Sequence, residues 1–137
     1  MNEQELTEAS KTVVRDYMKA LVNGDFDALR AFFTEQTTWT LAGDLPVSRT
    51  WTGPDEILGE FVPRMVARLV PETLEMEFTG LIAEGEKVLA EWADHGTSVS
   101  GAAYDQHCLA IFTIRDGKIA DVREYFDTLR AKNVLFA

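Results

Sequence analysis

Pro71 separates two regimes of hydrophobic spacing, and that change of period constrains the fold more than any other feature of the chain. Before it, apolar residues recur at helical intervals; after it, they alternate with polar ones as in half-buried strands. From Leu6 to Val22 the residues Leu6, Val13, Val14, Tyr17, Met18, Leu21 and Val22 fall on one helical face, with Glu5, Glu8, Lys11, Arg15 and Lys19 on the other. Asn23-Gly24 ends this helix and Asp25 can cap a second, in which Phe26, Leu29, Phe32 and Phe33 share a face. Thr37 to Leu41 alternates as a short strand, followed by an irregular loop from Ala42 to Thr50. A third helix is predicted to start at Thr52-Gly53-Pro54, with proline in the first turn and a kink or end at Pro63. Beyond Pro71 four strands follow: one beginning at Leu74, one over Val88 to Thr97, one over Tyr104 to Arg115 and one over Lys118 to Asp127. A last helix is read over Thr128 to Leu135. Gly85 marks one turn, and Asp116-Gly117 suits a two-residue hairpin. The expected fold class is α+β: a curved antiparallel sheet packed against three N-terminal helices.

With 137 residues the chain is large enough for one core and too short for two, and nothing resembling a linker interrupts it, so a single domain over 1–137 is expected. The net charge of −10 works against any partner bound through phosphate neutralisation, which argues against nucleic acid and anionic membrane surfaces. One cysteine, Cys108, allows no internal disulfide, and with only two histidines a soft-ligand metal site is not expected. The polar start carries no apolar export segment, and no window approaches the roughly 20 apolar residues of a bilayer span. The expectation is a cytoplasmic protein that needs no cofactor.

Strand register turns these patterns into a candidate site. If Asp116 and Gly117 form the tip of a regular hairpin, Ala110 faces Arg123, Cys108 faces Tyr125 and Gln106 faces Asp127. With the preceding turn centred near Ser100, Trp92 faces Cys108 and Asp94 faces Gln106. Asp94, Gln106 and Asp127 would then cross three strands on one face, the two acids about 10 Å apart at the backbone. Two carboxyls in a poorly hydrated space should not both ionise, which leaves one as acid and one as base. Asp127 can equally serve as the cap of the last helix. Trp39, Trp51, Trp92, Tyr104 and Tyr125 suit the walls of an apolar pocket or the core itself, and Arg123 shares the same predicted face. The opposite face would carry His95, Asp105 and His107 among Leu89, Leu109, Ile111, Val122 and Phe126, apolar enough to suggest a homodimer through the convex side of the sheet.

Five stretches carry a family resemblance. Tyr17 to Asp25 (YMKALVNGD) resembles the end of the first helix in ketosteroid isomerases. Trp39 to Gly43 (WTLAG) and Trp51 to Ile57 (WTGPDEI) resemble ketosteroid-isomerase-related proteins. Phe112 to Ile119 (FTIRDGKI) followed by Arg123 to Asp127 (REYFD) resembles SnoaL-like polyketide cyclases and limonene-epoxide hydrolases. The chain is thus similar to the nuclear transport factor 2-like superfamily over nearly its whole length, which implies a cone of sheet closed by helices around a small-molecule pocket, commonly in homodimers.

The resemblance implies a catalytic role for Asp127, with Asp94 as its partner and Gln106 as an orienting amide. It also implies an oxyanion-stabilising hydroxyl at Tyr17, which otherwise reads as a core tyrosine. Two departures matter. The isomerase base falls at Leu41 and its oxyanion-hole acid near Ala110, so classical steroid isomerisation is not expected. The arginine that epoxide hydrolases place two residues before an aspartate is Trp92 here, ahead of Asp94. What remains is acid/base proton transfer on an apolar carbonyl compound, in cyclisation, isomerisation or dehydration. The alternative is a non-catalytic small-molecule-binding domain of the same fold.

Overall fold

A computed structural model describes residues 1–136. Helix α1, Glu3–Val22, starts at Asn2, whose side chain accepts from the Glu5 N–H, and buries Ser10, Val14, Tyr17 and Met18. Helix α2, Phe26–Arg30, is capped by Asp25 and is shorter than the apolar spacing predicts, because Phe33 already opens strand β1, Phe33–Leu41. Strand β2, Thr50–Thr52, falls where a loop was expected at its first residue, and pairs antiparallel with β1 through Trp39 and Trp51. The third helical stretch is composite. Helix α3, Gly53–Glu56, runs into one wide π turn, Ile57–Phe61, and then α4, Val62–Val66. Pro63 lies in the first turn of α4, where its missing N–H breaks no regular bond, so the proline is absorbed by the change of helical pitch rather than ending the helix.

Strands β3 (Glu75–Glu84), β4 (Lys87–Thr97), β5 (Ala103–Arg115) and β6 (Lys118–Phe126) form the expected antiparallel meander, and helix α5, Thr128–Leu135, follows. Asp116 and Gly117 both have positive φ, 52° and 76°, which matches the tight primed turn that Asp-Gly favours. The six strands make one curved, unclosed sheet in the order β2-β1-β6-β5-β4-β3. The sheet is not wholly antiparallel: β1 lies parallel to β6, closing the first part of the chain onto the last.

The β4–β5 register is the expected one, with Trp92 opposite Cys108 and Asp94 opposite Gln106. The β5–β6 register is not. It begins as predicted, Arg115 opposite Lys118 and Ile114 opposite Ile119, but Thr113 then faces Asp121, so Ala120 is an extra residue on β6. Beyond this bulge Ala110 faces Glu124 rather than Arg123, and Cys108 faces Phe126 rather than Tyr125. Because side chains alternate along a strand, one inserted residue exchanges the two faces of everything after it. Val122, Glu124 and Phe126 turn inward, whereas Arg123, Tyr125 and Asp127 are exposed. The convex face therefore keeps Leu89, Leu109 and Ile111 but loses Val122 and Phe126, and is less apolar than the sequence suggested.

The bulge is held from outside the hairpin. Thr37, fully buried, donates its hydroxyl to the Ile119 carbonyl at 2.6 Å and accepts the Thr34 N–H at 2.8 Å. Thr38 bonds the Asp121 carboxylate at 2.6 Å. The backbone oxygen beside the inserted residue thus has a buried partner, which a bulge inside a protein requires.

Candidate active site

On the concave face the bulge brings Glu124 of β6 into line with Ala110 of β5 and Ala90 of β4. In the next row Trp92, Cys108 and Phe126 lie side by side, and Asp94 stands opposite Gln106 beyond them. The small side chains of the first row leave Glu124 facing inward between larger neighbours. Its carboxylate accepts the Trp39 indole N–H at 3.1 Å. Burial, only partly offset by that bond and reinforced by the charge of Asp94, raises the Glu124 carboxyl to about 7.

Asp94 is half-buried, and desolvation likewise raises its carboxyl above the usual range, with contacts from Cys108 and Trp92 acting against the shift. One oxygen, Oδ2, accepts from the Cys108 thiol at 3.6 Å; the other is buried with no partner among the described residues. An unpaired acceptor in an apolar surround is costly unless the acid holds a proton or a ligand supplies a donor. Cys108 is itself pushed well above the ordinary thiol range by burial and by both carboxylates, so it stays a thiol and serves as a donor.

Two phenols complete the inner set. Tyr17 is buried by α1 against Phe32, Phe33, Trp39 and Phe112, with ring centroids 5.8–6.2 Å apart. Burial and the charge of Glu124 both raise its hydroxyl, which keeps it a neutral donor. Tyr104 is also buried and also raised, first by desolvation; its hydroxyl accepts from Gln106 Nε2 at 3.1 Å. Gln106 does not orient a carboxylate. Its amide clasps the backbone of Asp127, donating to the carbonyl at 2.9 Å and accepting the N–H at 3.2 Å, and so fixes the junction between β6 and α5.

The sequence-predicted residues therefore divide. Trp39, Trp92, Tyr17, Tyr104, Asp94 and Gln106 are on the inner side with Glu124. Trp51 is fully buried, but its indole bonds the Val47 carbonyl at 3.1 Å and Arg49 lies 3.7 Å above the ring, so it is a structural anchor for the loop after β1. Arg123 and Tyr125 lie on the outer face, where Arg123 reaches Asp121 at 3.6 Å. Asp127 is exposed and caps α5, its carboxylate accepting the Arg130 N–H at 3.1 Å. The expectation that it looks inward is corrected by the Ala120 bulge, and of the two roles open to it the structure shows the cap. Asp127→Ala is expected to cost about 1 kcal/mol, whereas Asp127→Asn, an equally good cap, should change stability by only a few tenths; urea titrations of both variants measure this. An asparagine variant as destabilised as the alanine would contradict the capping role.

Glu124 was missed because strict alternation from Ile119 places it outside. A signal was present: Ile119 and Val122 are both apolar and both fully buried, yet three residues apart, a spacing a strand can accommodate only with a bulge.

Among the described residues no helix is long and apolar enough to cross a membrane. The SnoaL-like domain family matches residues 14–122, a span that includes Tyr17, Trp39 and Asp94 and ends two positions before Glu124. No curated protein matches the chain. Among solved structures, an NTF2-like protein from Burkholderia xenovorans is 24% identical, with 94% of this chain and 97% of that one covered and a TM-score of 0.76. A candidate SnoaL-like polyketide cyclase from Jannaschia is 16% identical, with coverage of 100% and 98% and a TM-score of 0.79. TerC, crystallised with polyporic acid, is 17% identical, with coverage of 94% and 99% and a TM-score of 0.81. At these identities the likeness is one of fold.

Proposed function

Because the chain belongs to the SnoaL-like domain family, we propose that it is a small-molecule enzyme in which Glu124 moves a proton on an apolar carbonyl compound. The observation that carries this reading is the burial of Glu124 on the concave face, opposite Ala110 and bonded by the Trp39 N–H, which pushes its carboxyl up to about 7, where acid and base forms coexist at neutral pH. As carboxylate it takes a proton from the carbon next to a carbonyl; as the resulting acid it returns that proton to another carbon, to the alkoxide left when the enolate carbon adds to a second carbonyl, or to a leaving hydroxyl. Isomerisation, aldol-type cyclisation and dehydration are variations on this pair of steps. The Trp39 N–H holds one carboxylate oxygen and leaves the other to react. The hydroxyls of Tyr17 and Tyr104, kept neutral by burial, are donors suited to the enolate oxygen that develops as the proton leaves. Asp94 raises the proton affinity of Glu124 through its charge and does not touch the substrate in this scheme.

A test that needs no knowledge of the natural substrate uses β-tetralone, a small enolisable ketone, in deuterated buffer, with loss of the α-proton signal followed by NMR. The protein is expected to accelerate exchange above the buffer rate, with a pH profile that rises to a plateau through an inflection near 7. Exchange no faster than in buffer at every pH would contradict proton transfer and leave a binding domain of the same fold.

A further inference from the structure

At the free edge of the sheet, where α1 packs against β3, the two elements line a cleft of about 500 Å³. That volume falls among sites for small organic ligands, roughly 300–1,000 Å³. Its walls are apolar: Met18 from α1, Phe78 and Leu81 from β3, with Ala90 of β4 deep inside. A bulge at Thr79 aligns Phe78 with Trp92 and Leu81 with Ala90, so that two large side chains three residues apart both serve the concave side. Phe78 packs against Trp92, ring centroids 6.3 Å apart, and is nevertheless 39% exposed.

The rim of this apolar cleft is basic. Arg15 and Lys19 stand one turn apart on α1, both are exposed, and neither forms an ion pair among the described residues. In a chain with 23 acidic and 13 basic side chains, two uncommitted cations at the mouth of an apolar cleft are the charge complement of an anion. The depth of the cleft is set by Ala90, which shares a cross-strand row with Ala110 and Glu124. Two strand spacings, roughly 10 Å, separate the backbone of its floor from that of the buried acid.

We propose that this cleft binds a small apolar monocarboxylate. Its carboxylate lies between Arg15 and Lys19, and its hydrocarbon body lies on Phe78, Leu81 and Met18 with the far end against Ala90. Where it names the substrate class for Glu124 it rests on the proton-transfer reading; the binding itself does not.

The test is calorimetric titration at low salt with octanoate and with octanol, its uncharged counterpart. Octanoate is expected to bind one per chain. The double variant Arg15→Gln, Lys19→Gln, confined to exposed side chains, is expected to weaken octanoate by about fivefold or more and leave octanol unchanged. Raising salt should weaken octanoate alone. Glu124→Gln should leave octanoate within about twofold. Absence of saturable octanoate binding, binding that the double variant does not weaken, or binding lost in Glu124→Gln would each overturn the proposal. Octanoate binding that depends on Arg15 and Lys19, in a protein that does not accelerate β-tetralone exchange, would uphold the cleft and remove the proton-transfer reading.

Discussion

Glu124→Gln is expected to lower β-tetralone exchange by roughly 10²–10⁴-fold and at the same time to make the protein more stable above pH 7. Glutamine keeps an oxygen for the Trp39 N–H but cannot carry a proton away. The stability gain follows from the same burial. In the unfolded chain this acid ionises around 4.5, and in the folded protein at about 7. Below 4.5 both states hold the proton and no penalty exists. Between the two values the folded state keeps a proton that the unfolded state has released, so the wild type loses stability as pH rises, and above 7 the penalty is constant. A tenfold change in proton affinity is worth about 1.4 kcal/mol, so the full penalty is roughly 3 kcal/mol. For a domain of this length that amounts to a melting temperature on the order of 10 °C higher for the variant at pH 8, with little difference at pH 4.5. Thermal melts across this range, beside the exchange assay, measure both halves. A stability difference that does not grow between pH 4.5 and 8 contradicts a buried, proton-holding Glu124, and an active glutamine variant contradicts its role in turnover. Both outcomes together would be the usual exchange of stability for function.

Thr37→Val is expected to destabilise the protein by roughly 2–4 kcal/mol. Valine keeps the shape of the fully buried threonine but leaves the Ile119 carbonyl and the Thr34 N–H, which the hydroxyl now pairs at 2.6 and 2.8 Å, without that partner. Deleting Ala120, by contrast, removes only the extra residue: in the regular hairpin that results Thr113 still faces Asp121 and Ala110 still faces Glu124, so Val122, Glu124 and Phe126 keep their inward face. Urea titration of Thr37→Val beside the wild type is the measurement. A valine variant as stable as the wild type would show that the Thr37 hydroxyl does not hold the bulge.

The contrast between the two hairpins explains what could be read from the sequence and what could not. The order of the helices and the five long strands, the Asp-Gly turn, the β4–β5 register and α5 were legible, because each depends on local chemistry or on regular alternation, whereas the three-residue β2 was not. Asp94 was placed on the inner face for the same reason. The β6 face was not legible from alternation alone, because its phase is set by Thr37 on a strand 82 positions away in the chain. The parallel pairing of β1 with β6, which brings that hydroxyl into place, has no local signature. One missed residue moved the candidate acid from Asp127 to Glu124, and it also moved Arg123 and Tyr125 out of the site and Phe126 into the interior. The composite third helix is a smaller case: Pro63 announced an irregularity, and the π turn before it is how the chain resolved it.

Carbon-13 NMR of the side-chain carboxyls, followed from pH 3 to 9 and assigned through the Glu124→Gln variant, reads the protonation of Glu124 itself. One glutamate resonance is expected to titrate near 7 and to disappear in that variant. If every glutamate titrates in the ordinary range around 4–5, Glu124 is not the buried acid described above, and the proton-transfer function has no residue to perform it.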